Sequence, residues 1–320
     1  MMLKSARRTR TAILKPAWAL AELMESYTFP SWRNAFTYAP IFIIGPPRSG
    51  STLLMQAMTD AFDLGYLSNT HCAWHGSPAL AERLLRPLRT KAPSDFNSAY
   101  GRTKQRYAPA ECGAWWYRFF PRSPVYISGD QADAEKMRAF RRSLLTLETA
   151  FAKPLIFKNL YASLRIEPIL RHVPEAVFVV VERDRFANAA SILKGRKDAF
   201  GVYDRWWSVP WPDTTALQMK SPAEQVLAQI DGIHALINNQ LGDSDRVFRV
   251  DYDAFCRASH DVLDRFAQFM QGLGVVLEPR FEIPDHFPPT TPAPLPDDIR
   301  DDLLKRLAPH TVRPPGEEGH

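Results

Sequence analysis

Cysteine is scarce in this chain: Cys72, Cys112 and Cys256 are odd in number and widely spaced, with no Cys-x-x-Cys pair. That pattern excludes a disulfide framework and a thiol zinc cluster, and a reducing cytoplasm is the expected compartment. Long apolar runs are also missing, since no stretch approaches the roughly 18–20 residues that cross a bilayer. An export signal is not expected either: Lys4, Arg7, Arg8, Arg10 and Lys15 precede the first acid, Glu22, but no apolar h-region follows. This start reads as a basic arm leading into an amphipathic helix. Charge of one sign is not dominant either. A formal net charge of +5 suits anionic small molecules as well as membrane surfaces, and no nucleic-acid partner is expected.

What is present is an alternation of short apolar runs with helical patterns. Ile41 to Ile44 is unbroken and ends in Gly45-Pro46, as a strand buried on both faces of a parallel sheet does. Leu53, Leu54, Ala57, Met58 and Ala61 then recur at helical spacing. Leu155 to Phe157 and the β-branched Val177 to Val181 read as further strands, followed by helices over Leu164 to Leu170 and Ala187 to Lys194. Ser221-Pro222-Ala223-Glu224 combines an N-cap serine, a first-turn proline and a capping-box glutamate, and Gly242 suits that helix's end. Val247 to Val250 is a last strand, and Ala254 to Met270 a last helix. The order implies an α/β fold, a P-loop-like, doubly wound parallel sheet flanked by helices in a single domain. Of 27 prolines, many crowd Pro284 to Pro315, which reads as an appendage. The expected division is a basic helical arm over 1–38, a catalytic domain over 39–283 and a proline-rich appendage over 284–320.

Gly45-Pro46-Pro47-Arg48-Ser49-Gly50-Ser51-Thr52 lies between the first strand and its helix, where backbone N–H groups and the helix dipole converge on an anion. Its spacing matches the Walker pattern except that Ser51 stands where a nucleoside triphosphatase carries lysine. The loop's only cation is Arg48, whose planar fork suits phosphate. Pro47 to Leu54 resembles the 5′-phosphosulfate loop of the sulfotransferases that use 3′-phosphoadenosine-5′-phosphosulfate (PAPS), and more loosely their bacterial carbohydrate-type branch. The resemblance implies that Arg48, Ser49, Gly50, Ser51 and Thr52 cradle the donor's 5′-phosphate. It also implies that Arg183, after the Val177 to Val181 strand, and Ser191, eight residues on, hold the 3′-phosphate. Lys158, ending Pro154-Leu155-Ile156-Phe157-Lys158, would neutralise the sulfuryl oxygens or the leaving phosphate.

The same resemblance implies a metal-independent transferase acting on a hydroxyl of a small-molecule or glycan acceptor. Two departures stand out. Arg185 replaces a frequent proline after Arg183-Asp184, and Ala162 stands where several relatives carry histidine. A base is therefore needed elsewhere, and Glu111, among the apolar and aromatic residues of Pro109 to Trp116, is the candidate, with desolvation as the expected activator. A salt-bridged glutamate is the structural alternative. His71 and His75 invite a zinc or a base reading, but no fourth ligand lies nearby. Trp115, Trp116, Trp206, Trp207 and Trp211 suit either sugar stacking or core. A P-loop kinase or nucleotidase, and a non-catalytic nucleotide-binding module, are the competing readings.

Overall fold

Ile41–Ile44 form β1, every residue of it buried, at the centre of a five-stranded sheet. β2 (Gly65–Tyr66), β3 (Leu155–Lys158), β4 (Val177–Glu182) and β5 (Val247–Asp251) complete it in the order β2-β3-β1-β4-β5. All four pairings are parallel. Complete burial explains the continuous Ile and Val content, because helices cover both faces of such a sheet. The computed structural model describes residues 20–29, 33–88, 92–97, 101, 103–210, 214–288 and 293–308. Most of the expected basic arm, including Lys4 to Lys15, and Trp211 lie outside the described residues.

Register decides which side chains meet. Phe42 pairs with Phe157 on one side and Phe178 on the other, so three rings form a row on one sheet face. The centroid of Phe42 lies 5.5 Å from that of Phe157 and 5.8 Å from that of Phe178. Trp115, Trp116 and Phe140 close over this row. Each buried ring contributes about 1.5–3 kcal/mol by removal from water. On the opposite face Ile41, Ile43, Val179 and Val181 meet Leu54, Met55 and Met58 of α1 (Ser51–Ala61).

Helix ends follow their capping chemistry. Asp133 accepts from the N–H groups of Glu135 and Lys136 to start α2 (Ala134–Phe151), and Asp184 accepts from Ala187 N to start α3 (Arg185–Phe200). α3 thus extends past the expected Ala187 to Lys194 at both ends. The Ser221–Glu224 capping box opens α4 (Pro222–Leu241) where it was expected, and Gly242 follows its end. The expected helix from Ala254 to Met270 is instead two, Tyr252–Arg257 and Ser259–Gly272. The break has a cause: Ser259 N donates to the Asp285 carbonyl at 3.0 Å, outside the helical ladder. Likewise Asn159 accepts from Tyr161 N and starts a 3₁₀ turn over Leu160–Leu164, so the following helix is confined to Ile166–His172.

Within the proline-rich C-terminal stretch a further helix forms, α5 (Asp297–Leu307). Leu303 is fully buried in a cluster with Ile192 and Leu193 of α3 and Val226 and Ile230 of α4. Ser221 Oγ donates to Asp302 at 2.6 Å, and Arg306 pairs with Glu224 at 3.0 Å. This part of the appendage is built into the helical layer.

Candidate active site

The turn after β1 is possible only because of its glycines. Gly45 has φ +149°, and a Cβ there would lie 2.7 Å from the Val181 carbonyl oxygen. At Gly50, φ is +96° and a Cβ would fall 2.0 Å from the Tyr252 ring. Arg48 is also left-handed, at φ +64°, a conformation that costs an L-residue roughly 1–2 kcal/mol. Gly50 caps α1 with no side-chain hydrogen bond, so the N–H groups of the first turn, the positive end of the helix dipole, have no side-chain partner from the cap.

Neighbouring elements hold this loop. Asn188 Nδ2 donates to the Pro47 carbonyl at 2.7 Å, and Ser163 Oγ accepts from Gly45 N at 3.0 Å. Arg183 Nη1 donates to the Arg48 carbonyl at 3.0 Å, and Arg48 Nε donates to Ser191 Oγ at 3.0 Å. The three residues expected at two separate phosphates are therefore one hydrogen-bonded group, with the Arg183 guanidinium 5.0 Å above the Tyr252 ring. Its Nε is buried without a hydrogen-bond partner among the described residues. Ser51 and Thr52 line the same cleft, of about 200 Å³, as Arg48 and Arg183. Ser49 does not line it: its side chain is fully buried, with Oγ turned toward Gly45.

A second group lines the cleft. Lys158, 4% exposed at the end of β3, donates from Nζ to Thr52 Oγ1 at 3.0 Å and is ion-paired with Glu111. Gly101 lies against this cluster, where a Cβ would come within 3.3 Å of Glu111 Oε1 and 3.4 Å of Lys158 Nζ. A family model described as the sulfotransferase family matches residues 40–273. The chain belongs to the sulfotransferase family. It is an enzyme of sulfuryl transfer, and the kinase and non-catalytic readings give way.

A solved sulfotransferase shares the fold. The structure of sulfotransferase STF9 from Mycobacterium avium is 17% identical, covering 92% of this chain and 74% of that one, with a TM-score of 0.50. Sulfotransferase STF1 from Mycobacterium tuberculosis H37Rv is 16% identical, covering 90% and 76%, with a TM-score of 0.45. At such identity the likeness concerns architecture alone. No curated protein matches the chain.

Other expectations about this sulfotransferase change with its geometry. Glu111 is not a carboxylate in apolar surroundings: its side chain is 32% exposed and its partner is the Lys158 ammonium. His71 is a structural histidine, buried, with Nδ1 beside Ser68 Oγ at 2.8 Å and Nε2 3.2 Å from Glu82. Burial lowers the pKa of His75, and neither histidine lines the cleft. Among the described residues no three His, Cys, Asp or Glu side chains cluster as metal ligands, and no helix is long and apolar enough to cross a membrane. Trp115 and Trp116 are core, Trp206 stacks on Arg196 at 5.4 Å, and Trp207 lines the cleft with Tyr161. Asn188, Ser163, Gly101 and Tyr252 were missed by sequence reasoning. Only Asn188, in step with Arg183 and Ser191, carried a signal that spacing could have found.

Proposed function

We propose that the sulfuryl donor is PAPS, that its phosphates lie against the glycine loop and the Arg183–Ser191 pair, and that the acceptor is a hydroxyl of a small carbohydrate. The observation that carries this reading is the convergence of an anion loop, two arginines and the Lys158–Glu111 pair on one cleft. The residues suit an adenosine bisphosphate: two arginines flank the loop, and the buried Arg183 Nε has a donor to offer. When bound, PAPS supplies an activated sulfuryl group.

The chain's own residues then do three things. Arg48 and the N-terminus of α1 hold the 5′-phosphate, while Arg183 and Ser191 hold the 3′-phosphate. Lys158, with Thr52 at 3.0 Å, holds negative charge at the transferring group. Glu111, the only carboxylate lining the cleft among the described residues, accepts the acceptor hydroxyl's proton. Tyr161 and Trp207 offer ring faces to a sugar. The catalytic unit is read as residues 39–283, and its compartment as the cytoplasm. Calorimetric titration tests the donor assignment. Adenosine 3′,5′-bisphosphate should bind at least about tenfold more tightly than 5′-AMP, since a charged hydrogen bond is worth roughly 1.5–3 kcal/mol. Ser191→Ala should narrow that gap, and equal wild-type affinities would overturn the reading.

A further inference from the structure

The helical stretch over 20–28 contacts the protein through Ala21 and its two acids. Glu22 lies 3.5 Å from Arg118, Glu25 accepts from Leu80 N at 2.9 Å, and Ala21 is buried. Burial is costly enough at Glu25 to raise its carboxyl pKa. The outward stripe is apolar. Leu20, Leu23, Met24 and Tyr27 are 58%, 66%, 48% and 90% exposed, at the i, i+3, i+4, i+7 spacing of one helix face. This reverses the usual arrangement, in which the apolar stripe faces the core and the acids face water. An outward-facing contiguous apolar stripe marks an interaction surface.

Charge identifies the partner. The sequence before the helix carries Lys4, Arg7, Arg8, Arg10 and Lys15 and no acid before Glu22. Just after the helix, the Arg83 guanidinium lies 5.8 Å over the Phe29 ring. Glu25 is turned into the protein and Glu22, half-exposed, is paired with Arg118, so both acids of the helix already have partners in the protein. An apolar stripe with an aromatic residue, joined to a cationic segment, is the composition of a helix that lies in the plane of an anionic lipid interface.

We propose that this N-terminal edge docks the enzyme on an anionic membrane surface, with Leu20, Leu23, Met24 and Tyr27 entering the interface and the basic residues on the headgroups. The inference is independent of the donor and acceptor assignments. Full-length protein is sedimented with phosphatidylcholine vesicles and with vesicles containing about 30% phosphatidylglycerol. Binding to the anionic vesicles is expected, at least about tenfold weaker on neutral ones and in about 0.5 M NaCl. Arg7→Glu/Arg8→Glu/Arg10→Glu should weaken it similarly. Leu23→Asp/Met24→Asp should abolish it while leaving thermal melting and nucleotide binding unchanged. Absence of vesicle binding, or binding that the Leu23 and Met24 changes leave intact, would overturn the proposal. So would a sharp fall in melting temperature in that variant, which would mean that the chain itself covers the stripe, or a self-associated species lost in the same variant without vesicle binding.

Discussion

Glu111→Gln separates two jobs that the geometry assigns to one carboxylate. If Glu111 accepts the acceptor's proton, the substitution removes a general base, worth roughly 10²–10⁴ in kcat, or about 2.7–5.4 kcal/mol of barrier. It also strips the buried Lys158 of its counterion and leaves its ammonium the Thr52 hydroxyl at 3.0 Å. Breaking a fully buried pair costs about 3–5 kcal/mol, whereas an exposed pair is worth about 0–1. With Lys158 4% and Glu111 32% exposed, a stability loss of about 1–2 kcal/mol is expected, too small to unfold a typical domain. The rate loss should therefore exceed the stability loss. The assay is transfer of radiolabelled sulfuryl from PAPS to an acceptor found by mass spectrometry of treated extracts, run beside thermal melting and titration of adenosine 3′,5′-bisphosphate. Turnover within about threefold of wild type in the folded variant would refute the base assignment. If Glu111 serves only to hold Lys158, Lys158→Met and the double variant should lose as much as Glu111→Gln alone.

Arg48→Ala should weaken both PAPS and its desulfated product by about 1.5–3 kcal/mol, because the 5′-phosphate persists in each; calorimetry with unchanged affinities would contradict the loop assignment. Gly50→Ala should lower stability by more than about 1–2 kcal/mol, since a left-handed alanine is strained and its methyl meets Tyr252; a wild-type melting curve would count against the tight loop. Leu303→Ala, emptying a fully buried position in α5, should cost about 2–5 kcal/mol and lower the melting temperature by several degrees. An unchanged melting temperature would mean that α5 is dispensable. Turnover should be the same in EDTA as in added Mg²⁺, because Arg48 and Lys158 supply positive charge at the transferring group; strict dependence on Mg²⁺ would undo that assignment.

Strands were legible where burial left no ambiguity. Ile41–Ile44 appears as read, and the apolar run Val177 to Val181 appears as a strand one residue longer, Val177–Glu182. The capping box at Ser221 placed a helix start to the residue, because its signal is local. Failures came where a distant partner decides. The break before Ser259 depends on the Asp285 carbonyl, and no local pattern in the 254–270 segment announces it. β2 is two residues long and too short for any pattern. In the site, Arg48, Arg183 and Ser191 were legible as neighbours through the spacing of a strand end and a helix. Their direct hydrogen bonding was not, because it joins a left-handed turn residue, Arg48, to a serine 143 positions away. For Glu111 an apolar stretch of sequence suggested desolvation, yet its neighbour in space is a lysine 47 residues away.

The ring of Tyr252 closes over Gly50 and under Arg183, yet it belongs to the first turn after β5. The glycine loop after β1 is thus buttressed by a residue made some two hundred positions later. During synthesis, β1 and α1 emerge early, but Gly50 has no tyrosine ring against it until β5 pairs with β4. A nascent chain halted before Tyr252 should hence be blind to adenosine 3′,5′-bisphosphate however much of the sheet it has assembled, and competence should arise abruptly once that strand and its tyrosine have docked.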